Sequence, residues 1–103
     1  MRRKFNAGYS TATANIYINQ DVPVISLSST IEPVNKWVND KPTDEVDHYS
    51  AWFCQEGVEP FKVKFENELN LPKFDSKVKF DDLEACEIGN NVYFRANGIK
   101  EIR

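Results

Sequence analysis

Twice in this chain lysine alternates strictly with a large apolar residue: Phe61-Lys62-Val63-Lys64-Phe65 and, after a break, Lys77-Val78-Lys79-Phe80. A period of two belongs to a strand with one face in a core and the other in solvent, because successive side chains point to opposite sides. The same parity runs through Val46–Gln55, where Tyr49, Ala51 and Phe53 share one face and His48, Ser50, Trp52 and Cys54 the other. It returns in Val92–Ala96, with Val92, Phe94 and Ala96 on one side and Tyr93 and Arg95 opposite. No stretch sustains a 3.6-residue period, so the chain reads as all-β.

Turn residues divide these strands. Gly57 with Pro60, the Gly89-Asn90-Asn91 triplet and Asn97-Gly98 each suit a hairpin connection. Asp40–Glu45 reads as a turn by composition. Pro23 and Pro33 cannot donate to a ladder, so Val22–Asn39 reads as two short strands or one broken strand at an edge. Glu68–Ser76 is where a single helical turn fits, limited by Pro72. The expected fold is a small five-stranded barrel of the OB type, with that helical turn between strands three and four. An SH3-like barrel is its nearest competitor. Residues 1–21 read as an N-terminal arm or edge strand, with "NIYIN" alternating, and residues 22–103 as the barrel domain.

A chain of 103 residues with 41% hydrophobic and 13% aromatic content has enough apolar material for one core. The formal charge of −3, from 16 acids against 13 Lys and Arg, excludes a globally basic nucleic-acid binder. It leaves room for a local basic face. No apolar run approaches the roughly 18 residues that cross a bilayer, and no apolar stretch follows the basic Met1–Lys4, so neither a membrane span nor a secretory leader is expected. Cys54 and Cys86 read as reduced thiols, which favours the cytoplasm.

The chemistry of an enzyme is missing from the pattern. There is no phosphate loop, nucleophile elbow or paired-histidine motif. His48, the one histidine, follows Asp44, Glu45 and Asp47 and reads as a hydrogen-bonded surface residue. No cofactor or metal is expected. The acidic run Asp81, Asp82, Glu84 and Glu87 reads as solubility and edge protection, or else as a site for a divalent ion or basic partner.

Parity then supplies the candidate site. If the apolar sets face the core, the outside carries Lys62, Lys64, Lys77, Lys79 and Arg95 together with Trp52 and Tyr93. Basic groups that track phosphates and rings that stack on bases are what single-stranded nucleic acid requires. The competing reading is a solvated lysine face, with Trp52 packed under the arm or in a homodimer interface.

The span from His48 through "PFKVKFEN", Pro72, Phe74-Asp75, "KVKFDDLEA" and "NVYFRANGI" resembles the HelP-type accessory replication proteins of Gram-positive conjugative elements, a family of helicase processivity factors. The likeness covers residues 45–103; the arm has no counterpart there, and a small phage or plasmid single-strand-binding protein is equally similar. The resemblance implies a role in replication or transfer of a mobile element, beside a host helicase or relaxase. It carries over no individual site residue. The alternative expectation is a non-enzymatic interaction barrel that docks or inhibits a replication partner.

Overall fold

The computed structural model describes residues 8–102. The basic Met1–Lys4 stretch lies outside them. Among the described residues one helix, α1 (Thr11–Tyr17), precedes eight strands: β1 (Val24–Ser26), β2 (Glu32–Val38), β3 (Lys41–Gln55), β4 (Val58–Phe65), β5 (Lys77–Asp81), β6 (Glu84–Ile88), β7 (Asn91–Arg95) and β8 (Gly98–Glu101). They hydrogen-bond in the order β6-β7-β4-β3-β1-β5-β8, with β2 also on β3.

The long strand β3 organises the sheet. β4 lies along one side of its inner half, while β1 and β2 follow one another along its opposite side. Alternation decides which side chains turn inward. Phe53, Phe61, Val63, Phe65 and Phe94 are buried, and Phe53 is fully so. Its ring meets Phe80 edge-on at 4.9 Å, with Phe61 and Phe65 slightly farther off. Burying such a ring stabilises by about 1.5–3 kcal/mol, and the cluster pins the register of several strands at once.

The five-stranded closed barrel is not what the hydrogen bonds draw: eight strands form an open path ending at β6 and β8. The two end pairs are nevertheless continuous along the chain, β5 running into β6 and β7 into β8. The register of β6 with β7, in which Glu84 faces Arg95, continues unshifted into β5 with β8, in which Asp81 faces Gly98. These four strands are one long hairpin bent at its middle. Asp82 takes a left-handed conformation there (φ 54°). Gly98 pairs with Asp81 beside this bend, and a Cβ there would stand 2.9 Å from the exposed Asp81 carboxylate, obliging that side chain to shift.

Three local expectations are corrected. Glu68–Ser76 contains no helical turn; it runs without regular secondary structure, laying Leu69 and Leu71 against the core, and turns at Phe74-Asp75. The turn expected over Asp40–Glu45 is tighter and earlier. Asn39 and Asp40 both have positive φ, the backbone of a two-residue hairpin turn, and Lys41–Glu45 already belongs to β3. Within residues 1–21, the "NIYIN" segment contributes to a helix and not to an edge strand.

That helix has an identifiable start. The Ser10 side chain accepts from the Thr13 N–H at 3.1 Å, satisfying a donor of the first turn. The Ser10 backbone meanwhile exchanges hydrogen bonds with Ala85 on β6. Ala14 and Ile18, four residues apart, turn inward. The Tyr17 hydroxyl donates to Glu87 at 2.6 Å, fastening the helix to the sheet. Buried Gln55 completes the attachment, bonding the backbone of Asn19 and Val22. Among the described residues no helix is long and apolar enough to cross a membrane.

Candidate nucleic-acid interface

The outer surface of β3 and β4 carries an open groove of about 740 Å³. The antiparallel register sets its floor: Trp52 stands opposite Lys62, and Ser50 opposite Lys64. The parallel pairing of β4 with β7 then places Lys64 beside Arg95. Two residues back along those strands come Lys62 and Tyr93, and Tyr93 forms part of the groove wall. Because neighbouring positions Phe53, Val63 and Phe94 are locked in the core, the outward direction of Trp52, Lys62, Lys64 and Tyr93 follows from the pleat.

Both aromatic rings remain open to solvent, Trp52 at 43% exposure and Tyr93 at 45%. The Lys62 ammonium sits 5.5 Å from the centre of the Trp52 ring, close enough for a cation–π attraction. The Trp52 backbone N–H is held by the Ser28 hydroxyl at 2.9 Å, which fixes the strand beneath the ring. Asn90, in the β6–β7 turn, and Asn91, at the start of β7, line one end.

Arg95 is more constrained than the lysines. Its Nε donates to the Glu84 carboxylate at 2.9 Å, across the β6–β7 ladder. Its guanidinium lies 4.2 Å from the centre of the Tyr9 ring. Tyr9 is half-buried and also lines the groove. Burial is the leading reason its phenol titrates above the ordinary tyrosine range, with Cys86 adding to the rise and Arg95 opposing it.

At the other end of the groove His48 Nδ1 meets the Asp47 carboxylate at 2.7 Å. That hydrogen bond is the main cause holding Asp47 below the usual carboxylate range; the His48, Lys64 and Lys36 charges assist. Glu59 is the acidic member of the wall.

The structure therefore gathers Trp52, Lys62, Lys64 and Tyr93 into one groove and sets Arg95 at its margin, paired with Glu84. Lys77 and Lys79 stand elsewhere. They lie on β5, which β1 separates from β3, and their ladder neighbours are Ile25 and Lys100. Lys79 borders a separate depression of about 240 Å³ beside Ile18 and Val22. The two lysine rows belong to different parts of the surface.

Sequence reasoning did not select Tyr9, Ser50, Asn90 or Asn91. The asparagines carried a turn signal only, and Tyr9 reaches the groove through the docking of α1, which no local pattern announced. Cys54 and Cys86 are free thiols, Cys86 buried. Among the described residues no group of three or more His, Cys, Asp or Glu is placed to hold a metal ion.

Comparison with known proteins returns nothing: no family model, no curated protein and no solved structure matches the chain.

Proposed function

We propose that the protein is a non-enzymatic, sequence-tolerant binder of single-stranded DNA, acting through the β3–β4 groove. The observation that carries this reading is the pairing of two solvent-open rings, Trp52 and Tyr93, with Lys62 and Lys64 in one concave surface. Aromatic faces stack on any base, at roughly 1–3 kcal/mol each, while ammonium groups follow the backbone.

The topology supports the same reading. β1 and β2 flank β3 in succession, and β5 with β6 and β7 with β8 are the two arms of one bent hairpin. Merged in this way, the eight strands become five with the neighbour relations of a partly open OB-like barrel. Such barrels bind oligonucleotides on the face of their second and third strands, between the loop joining strands one and two and the loop joining four and five. Here those correspond to β3 and β4, the Asn39-Asp40 hairpin and the Gly89-Asn90 turn. A place in replication or transfer of a mobile element, beside a helicase or relaxase, rests on the resemblance of residues 45–103 alone.

The test is a fluorescence titration with a short oligothymidine at low and moderate salt, using Trp37→Phe so that Trp52 is the sole indole. Saturable quenching that weakens with salt, by about 0.7 log units per log unit of salt for each phosphate neutralised, supports the reading. Absence of quenching, together with absence of binding by anisotropy at low salt, overturns it.

A further inference from the structure

Among the described residues the outer part of the β2–β3 hairpin pairs with no further strand. β2 pairs with β3 alone among the described residues, and β3 begins to pair with β4 only at Tyr49. From Asn35 to Val46 the structure is thus a two-stranded ribbon, a form that is marginal in water without further packing. It also exposes apolar surface: Trp37 at 64%, with Val38 and Val46 beside it. An exposed ribbon edge with a bare indole is a place for another strand to pair.

The geometry of β2 makes it the available edge. The register between β2 and β3 shifts after Val34 and again after Asn35, and the extra residues are all on β3. The bulges therefore distort β3 and leave β2 a regular strand of seven residues.

We infer that β2 is a homodimer interface, pairing antiparallel with β2 of a second copy about a two-fold axis through Val34. The charges of the strand select this occupant and this register. With Val34 facing its own copy, Glu32 of each chain falls opposite Lys36 of the other, giving two opposite-charge cross-strand pairs. Just beyond the strand, Ile31 of each copy falls opposite Trp37 of the other, so the exposed indole gains an apolar neighbour. Pro33 falls opposite Asn35 of the second copy and lacks an N–H, which removes one ladder bond per copy. The pairs on either side of it, not the centre of the ladder, set the register. The inference is independent of nucleic-acid binding, since Trp52, Lys62 and Lys64 play no part in it.

The test is sedimentation of the full chain over a micromolar concentration series, with folding of each variant checked by circular dichroism. The wild-type chain sediments as a dimer. Glu32→Lys places lysine against Lys36 of the other copy, and Lys36→Glu places glutamate against Glu32; each weakens the dimer by at least about tenfold, since both pairs are lost together. Mixing the two variants in equal amounts restores a dimer, because every opposed pair is again of opposite sign. A monomeric wild-type chain, a dimer indifferent to either reversal, or a mixture that stays monomeric each overturns the inference.

Discussion

Lys62 and Trp52 face one another across the β3–β4 ladder, the ammonium 5.5 Å from the ring centre, while the next residue along each strand, Val63 and Phe53, is fully buried. One step along the chain separates surface chemistry from core. Trp52→Ala is expected to cost about 1 kcal/mol of stability or less, yet to weaken oligothymidine binding by roughly 10- to 100-fold, the value of one stacked base. Phe53→Ala is expected to cost about 3–5 kcal/mol, because the cavity it leaves is walled by three other rings. Denaturant unfolding and anisotropy on the two variants separate the roles; a Trp52→Ala chain as damaged as Phe53→Ala shows the indole to be structural.

Glu84 holds Arg95 at the groove margin. The pair is part-exposed, so its worth to stability is about 1 kcal/mol or less. Glu84→Gln keeps the shape and removes the charge that neutralises Arg95. Affinity for single-stranded DNA at low salt is expected to rise about two- to fivefold, and the salt dependence to steepen by about 0.7 as one more phosphate is engaged. Unchanged affinity and slope place Arg95 outside the binding track.

How far the site was legible follows from the same alternation. Where large apolar residues occupy every second position, as in Phe61, Val63 and Phe65, the core fixes the parity and the outward residues can be read without a structure. Val78 and Phe80 obey the rule too, and Lys77 and Lys79 do point outward. Parity says which face a side chain takes on its own strand; it does not say which strands are neighbours. That depends on β1 inserting beside β5, a pairing between residues far apart in sequence.

Helix α1 was hidden for a different reason. Ile16 and Ile18 alternate with Tyr17 and suggest a strand, but the inward face is Ala14 and Ile18, and Ile16 is exposed. Seven residues make barely two turns, too few for a helical period to stand out. The usable signal was Ser10 as a cap ahead of an alanine-containing run. The Asp82 bend was equally obscure: an aspartate with positive φ looks, in sequence, like one more member of an acidic run.

The Asp47–His48 contact makes a prediction about pH. Asp47 titrates below the ordinary carboxylate range, first because of the hydrogen bond with His48 and then through the His48, Lys64 and Lys36 charges. A carboxylate depressed in the folded state contributes stability that is present above its unfolded pKa, about 3.9. That contribution fades as pH falls through the lower folded value. Carboxyl NMR titration is expected to put Asp47 below the ordinary carboxylate range, and His48→Ala to move it upward. Lys64→Ala is expected to move it by less. An Asp47 titration indifferent to His48→Ala removes the contact as its cause.

Gln55 at the inner end of β3 offers the sharpest test of how the N-terminal segment is held. Its side chain is buried and makes three hydrogen bonds. Nε2 donates to the carbonyls of Asn19 and Val22, at 2.6 and 2.9 Å, and Oε1 accepts from the Asn19 N–H at 3.1 Å. Leucine has similar bulk and none of these bonds. Gln55→Leu leaves two carbonyls and an N–H without their partners, and is expected to cost about 2–4 kcal/mol. The loss should be local before it is global. With Asn19 released, Ile18 and α1 lose their anchor, and amide exchange in Thr11–Ile18 is expected to accelerate more than exchange in β4 or β7. Tyr9 reaches the groove through the same docking, so oligothymidine affinity should fall modestly even though Gln55 faces away from it. Uniform acceleration across the sheet instead makes Gln55 a core residue of β3, with no special hold on the helix.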